Sequence, residues 1–427
     1  MKHISTRFNL RKHPLIETLF QLEGNPKVLT FIEPLWGIPQ SLIAPYITLY
    51  MYALGVNDVQ IGTLMSISMF VQVFFAFGGG VIADKAGRKA TTIFGDLFGW
   101  IIPCVIWAVS QNFWFFLVAI ILNSFEQVNQ TAWNCLLIED AKPKEVLNLY
   151  TWVTISGLLA VFFAPISGLI ISKTSLVPVM RVLYSIFAVC MVAKCLITIL
   201  FATETAQGKR RKRETRHQSI RYMIYEYKYI LPKIFKDKPT VKVLAIMVLL
   251  HITTQISTNF FSLYATENLL IPKSALAFFP ILRAVIMLVF MFAMQEKLQK
   301  LPFRYPMAIG FFIYIGAQAV IIFSPTKSFL FIILYTIMEA FAFALVVPRK
   351  DSMLALYVDP EERARIVGVL SVAMFVFASP SGYIAGKLSS INRQLPFYLN
   401  MILFIIAMFI TVKFTDPLPE HMEYDED

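Results

Sequence analysis

The stretch Gly80-Val81-Ile82-Ala83-Asp84-Lys85-Ala86-Gly87-Arg88-Lys89 decides how the rest of the chain is read. It is a short polar turn between two apolar runs, residues 59–83 and 91–110. Each run has the roughly 20 mostly apolar residues needed to cross a hydrocarbon core. The glycines of the turn permit a tight bend and close helix approach. Its basic residues hold it on one side of a bilayer, and Asp84 can meet a facing helix N-terminus or an arginine.

Outward from that turn, the composition agrees. Of 427 residues, 57% are hydrophobic and 15% are charged, and Phe alone contributes 38. An ordinary soluble chain carries about 25% charged residues. This chain cannot cover its apolar surface with polar groups in water, which excludes a cytosolic enzyme, a disordered regulator and a disulfide-stapled secreted domain. Cys104, Cys135, Cys190 and Cys195 all lie in apolar stretches without C-x-x-C spacing. They read as small packing residues, so neither a metal nor a cofactor is expected.

Twelve segments satisfy the length and polarity of a span: 28–53, 59–83, 91–110, 113–138, 149–172, 178–203, 241–267, 274–295, 304–323, 328–349, 364–387 and 394–415. The expected fold is therefore an all-α membrane protein of two six-helix bundles, residues 28–203 and 241–415. A basic linker, 204–240, joins them and contains Gly208-Lys209-Arg210-Arg211-Lys212-Arg213. A segment of 27 residues precedes the first bundle, and an acidic tail, 416–427, follows the second. Most of the 38 Lys and Arg residues fall on the side of the two termini. The opposite loops hold only Lys173, Lys273, Lys327, Lys387 and Arg393. The asymmetry puts both termini in the cytoplasm of a cell-membrane protein. The excess of positive charge then belongs to anionic lipid at the inner leaflet, not to nucleic acid.

The halves also resemble each other. Phe116-Leu117-Val118-Ala119-Ile120-Ile121 and Phe329-Leu330-Phe331-Ile332-Ile333-Leu334 align at an offset that sets Glu126 opposite Glu339. Pro143-Lys144-Glu145 then matches Pro360-Glu361-Glu362, and Ala164-Pro165-Ile166-Ser167-Gly168 matches Ser379-Pro380-Ser381-Gly382. Parallel six-span repeats build one large group of transporters. At this point the turn at 80–89 is informative, because it resembles the signature loop of the major facilitator superfamily, G-x-x-x-D-[RK]-x-G-[RK]-[RK], at every defined position. The resemblance implies two bundles that rock about a central cavity. It also implies a gating latch between the halves at Gly80, Asp84, Lys85, Gly87, Arg88 and Lys89. Ala160 to Leu169 is similar to the antiporter signature of that family, with Pro165 and Gly168 at its matching positions, although its last Gly is Leu169. The R-x-x-Q-G signature of proton-linked members is absent from the fourth span.

An ionisable group inside a span is costly and is a functional candidate for that reason. Glu126 and Glu339 are the foremost, since a carboxyl group in a low-dielectric span can bind and release a proton as water access changes. The competing reading is a static pair, Glu126 with Lys194 or Glu339 with Arg283. Glu33 lies near the inner end of the first span. His251, Gln255 and Asn259 recur every four residues, and Asn123, Gln127, Gln130 and Asn134 mark one side of the fourth span. Both stripes are expected to face the cavity or to bond neighbouring helices. Trp36, Trp133, Trp152 and Tyr335 are candidates for an aromatic lining.

No nucleophile elbow, zinc motif or phosphate-binding glycine loop is present, so the chain reads as a non-enzyme driven by an ion or solute gradient. The expected activity is proton-coupled export of a small amphipathic compound. Proton-coupled import of a nutrient is the alternative, and a non-transporting scaffold or sensor the second alternative. The expected partners are a small-molecule substrate, protons and the lipid bilayer. One copy is expected to hold a complete cavity, hence a monomer.

Overall fold

The computed structural model describes residues 22–141, 143–216, 238–299, 301–356 and 363–413, and every regular element among them is helical. The N-terminal residues before 22, linker residues 217–237, the stretch Pro360-Glu361-Glu362 and the acidic tail at 416–427 lie outside the described residues.

The first segment is made of α1 (Gly24–Ile32), α2 (Pro34–Ile43), a 3-10 turn (Ala44–Tyr46) and α3 (Ile47–Ala53). Helix α4 (Asp58–Ala86) is one unbroken rod, followed by α5 (Arg88–Asp96), a π turn (Leu97–Ile101) and α6 (Ile102–Ala108). Then come α7 (Phe113–Asn123), α8 (Glu126–Ile138), α9 (Pro143–Val161), α10 (Ala164–Lys173) and α11 (Leu176–Phe201). A short linker helix, α12 (Ala206–Glu214), precedes the second half. That half runs α13 (Lys238–Glu267), a 3-10 turn (Lys273–Phe278), α14 (Phe279–Gln299) and α15 (Arg304–Ile322). It finishes with α16 (Phe329–Leu356), α17 (Arg363–Ile391) and α18 (Leu395–Val412).

Among the described residues, 10 helical runs are long and apolar enough to cross a membrane. They fall on ten of the segments expected from sequence. The remaining two, the first and the fourth, are helical but interrupted. Prolines explain the first: Pro34, Pro39 and Pro45 each lack the N–H that the helical ladder needs. The fourth breaks at Ser124-Phe125 without a proline. There the Ser124 hydroxyl donates back to the Ile120 carbonyl at 2.8 Å. The amides of Phe125, Gln127 and Val128 reach carbonyls three residues back, tightening the chain by one residue per bond.

Helices in lipid gain little from burying apolar surface against each other, so close packing and interhelical hydrogen bonds hold the halves together. Helices α4 and α17 cross at glycines. A methyl group on Gly62 would stand 2.3 Å from the Gly382 carbonyl oxygen, and one on Gly386 2.7 Å from that of Asp58. Asp58 accepts from the Ser389 hydroxyl at 2.6 Å and from Arg393 Nε at 3.2 Å. Arg393 also lies over the Tyr52 ring, 5.1 Å from its centre. The Tyr46 hydroxyl donates to the Lys273 carbonyl at 3.1 Å. The contacts of Asp58 lie where α4 begins and α17 finishes, which we name the Asp58 end. The signature turn lies at the other end of α4, the Asp84 end.

Candidate functional site

A cavity of about 300 Å³ opens between the halves. Ser41 and Pro45 line it from the first half, and Ser257, Phe261, Tyr335 and Thr336 from the second. Its charged wall is Arg283 of α14 and Glu339 of α16, with Nη1 and Oε2 3.4 Å apart. That is longer than the 2.7–2.9 Å usual for a charge-assisted hydrogen bond, so neither charge is fully engaged by the other. The Arg283 side chain keeps 31% of its surface accessible, and Glu339 keeps 16%. The guanidinium rests on the Phe343 ring at 4.7 Å, and Tyr335 stacks on Phe261 at 5.4 Å. The arrangement is a cation, an acid and flat apolar surfaces around one space. It can hold a small organic molecule that carries a charged group.

A smaller cavity of about 180 Å³ lies toward the first half, lined by Gln40, Trp100, Trp107, Asn123, Gln255 and Asn259. Asn123 donates to the Gly99 carbonyl at 2.6 Å. Gly99 lies in the π turn, and such turns free backbone groups from the helical ladder. Asn259 donates to the Gln255 carbonyl at 2.9 Å. Thus Gln255, Asn259 and Asn123 reach a cavity. His251, one turn before Gln255, turns its ring edge to Phe375 at 5.4 Å. Its Nε2 is buried without a hydrogen-bond partner. Gln127 bonds Gln72 at 3.2 Å, and Gln130 is exposed.

The first half holds a second ionic cluster away from the large cavity. Lys194 of α11 bonds Glu33 at 3.4 Å, with side chains only 6% and 13% accessible. Glu33 sits at the kink between α1 and α2. Asp96 and Glu126 stand within electrostatic reach of the same ammonium, and the Trp133 ring lies 5.9 Å from it. The competing static reading of the sequence pairs Lys194 with Glu126. The structure gives the bonded place to Glu33, because the break after Ser124 makes Glu126 the first residue of α8. There the positive end of the helix dipole favours a carboxylate. Asp96 accepts from Asn129 Nδ2 at 2.8 Å. Its Oδ2 and the Asn129 Oδ1 are buried without partners. Asn129 was missed in the sequence, although its place three residues after Glu126 sets the two on one side of a helix.

At the Asp84 end, Asp84 accepts from Arg88 at 2.6 Å and from Arg211 of α12 at 2.8 Å. Arg88 also bonds Glu139 at 3.1 Å, and the Thr205 hydroxyl donates to Glu139 at 2.5 Å. Glu204 accepts the backbone N–H groups of Arg88 and Lys89, at 2.8 and 3.1 Å, where α5 begins. Lys89 reaches the Ile199 carbonyl at 2.8 Å. Gly87 has φ +98°, a conformation that suits glycine. Gly80 has no neighbour where a side chain would point, so close helix approach falls instead to Gly79, against Val128 and Thr131 of α8. Every named partner of the turn is in the first half or the linker. Farther along, Pro165 opens α10, and a methyl on Gly168 would stand 2.6 Å from the Ser274 carbonyl oxygen. Gly168 thereby serves the close crossing of α10 with the second half.

The comparisons with known proteins agree with this architecture. No curated protein matches the sequence. Among solved structures, the nucleoside transporter NupG is similar with a TM-score of 0.70 at 16% identity, over 92% of this chain and 100% of that one. A POT family transporter in complex with 5-aminolevulinic acid gives 0.70 at 13% identity, over 90% and 94% of the two chains. The human organic anion transporter MFSD10 (TETRAN) gives 0.65 at 14% identity, over 94% and 100%. At these identities the likeness is one of fold. The family model described as Major Facilitator Superfamily matches residues 35–348, from the second helix to Pro348 of α16, and the chain belongs to the major facilitator superfamily.

Proposed function

We propose that this chain is a proton-coupled secondary transporter that exports a small amphipathic organic compound by alternating access. The observation that carries the reading is the cavity between the halves, with Arg283 and Glu339 on its wall and the inter-half contacts gathered at the Asp58 end. In this reading the positively charged Asp84 end faces the cytoplasm and the conformation is inward-facing. Glu339 is the coupling group in this reading. Protonation removes its hold on Arg283, and a cationic or polar solute competes with the proton for the carboxylate. Glu126, the pseudo-equivalent group of the first half, tunes the Lys194 cluster. Asp84, Arg88 and Lys89 latch the halves when the protein turns outward.

A second reading is uptake of an anionic nutrient. Arg283 favours it, because an incompletely paired guanidinium in a cavity is a receptor for carboxylate or phosphate. One experiment separates the two. Proteoliposomes with an acidic lumen and a pH dye inside receive lipophilic cations, then sugars and organic acids, from outside. Export by exchange gives proton efflux on addition of the solute, lost in Glu339→Gln. Proton movement in the same direction as the solute means symport and overturns the export reading.

A further inference from the structure

The Asp84 end carries a third concavity, of about 590 Å³, separate from the two cavities between the spans. Its lining is Lys85, Lys209, Lys212, Arg213 and Arg216. Lys85 belongs to the last turn of α4, whereas the other four come from α12 and the residue after its cap, more than a hundred positions later. The fold therefore gathers five cations into one cup, with no carboxylate among the described lining residues.

The neighbouring acids are committed elsewhere. Asp84 is taken by Arg88 and Arg211, Glu204 by the backbone amides at the start of α5, and Glu139 by Arg88. Glu214 is taken by Arg210 at 2.7 Å and by Arg211 at 3.3 Å, and Arg210 above all holds its carboxyl below the usual range. Holding five like charges together without counter-charge is unfavourable, and a ligand carrying several anionic oxygens relieves it. The guanidinium forks of Arg213 and Arg216 suit planar, two-point contact with oxyanions, while the ammonium groups act as point charges.

We propose that this cup binds a phosphate-type polyanion, presented by an anionic lipid headgroup or by a soluble phosphorylated solute. Its position admits both sources. Lys85 lies just past the end of the apolar run of α4 at residue 83, so one rim of the cup stands at headgroup depth. The other rim, on α12, is exposed. A bound anion spans from α4 to α12, parallel to the contact between Asp84 and Arg211. Occupancy therefore ties the linker helix more firmly to the signature turn.

The test compares two variants that lose the same charge from the same helix. Arg213→Gln removes a cup residue, and Arg210→Gln removes a residue that faces Glu214 instead. Full-length protein is placed in phosphatidylcholine nanodiscs with or without phosphatidylglycerol. Retained phosphatidylglycerol is read by native mass spectrometry, and inorganic pyrophosphate binding to the phosphatidylcholine discs by calorimetry. The expected result is preferential retention of one probe by the parent chain, weakened about tenfold by Arg213→Gln and less than twofold by Arg210→Gln, in line with the loss of a charge-assisted contact. Retention of the lipid alone identifies a headgroup site, and retention of pyrophosphate alone a soluble ligand. Equal weakening in the two variants, or binding of neither probe, overturns the proposal.

Discussion

The two halves each contain one buried ion pair with a separation of 3.4 Å, and the two pairs have different surroundings. Lys194 and Glu33 are enclosed, with Asp96 and Glu126 near the same ammonium. Arg283 and Glu339 form a wall of the central cavity and keep a third and a sixth of their surfaces accessible. Distance alone does not separate a structural pair from a functional one. Accessibility and the count of neighbouring charges do. One cation facing three carboxyl groups is indispensable to the packing around it, whereas a partly accessible and incompletely bonded pair can be exchanged for a ligand.

The first way to break this comparison is to remove each cation in turn. Lys194→Met leaves Glu33 and Asp96 buried without their counter-charge, and removal of one partner from a buried pair costs about 3–5 kcal/mol. The expected outcome is a large drop in the thermal midpoint of the detergent-solubilised protein and little protein in the membrane. Adding Glu33→Gln to that variant recovers part of the loss, because the uncompensated charge goes with it. A thermal midpoint unchanged in Lys194→Met would mean that the cluster carries no net charge interaction.

Arg283→Met is expected to behave in the opposite way. The pair is partly accessible, so its loss costs about 1 kcal/mol or less of stability. Transport falls at least about tenfold, the worth of one charge-assisted contact to a solute. Vesicle flux divided by the amount of protein in the membrane measures this. If Arg283→Met unfolds the protein as Lys194→Met does, the contrast between the halves collapses into two structural pairs.

Much of this layout is legible in sequence, for definite reasons. The signature turn is local, and its polar residues stand between apolar runs, so its position and its glycine at Gly87 follow from the chain itself. Arg283 and Glu339 were recognisable as partners because few charges occur within the spans of the second half. The first half offered more choices. Lys194 could face Glu126, Glu33 or Asp96, and the outcome turned on two helix interruptions. The Pro34 kink can be read from sequence, but the Ser124-Phe125 break depends on a serine hydroxyl finding the Ile120 carbonyl. Asn129 was overlooked because its role exists only when α5 and α8 are side by side. The cup at Lys85 and Arg213 joins residues from distant parts of the chain, and no local pattern announces it.

The finest difference concerns the turn itself, where the linker holds Asp84 in this conformation while the proposed latch needs Asp84 for the second half in the other. Asp84→Asn removes the charge from both partnerships. The ion pair to Arg211 is partly exposed, so the change is worth about 1 kcal/mol, or about a fivefold shift in a two-state balance. The protein still reaches the membrane, and flux falls about fivefold. Arg211→Gln removes only the linker's share and leaves Arg88 on Asp84. If α12 competes with the latch, Arg211→Gln leaves flux intact or raises it, and cysteine labels at the Asp58 end become more accessible as the outward-facing state gains population. A fall in flux equal to that of Asp84→Asn would instead make α12 part of the latch, with Arg211 acting alongside Asp84 rather than against its release.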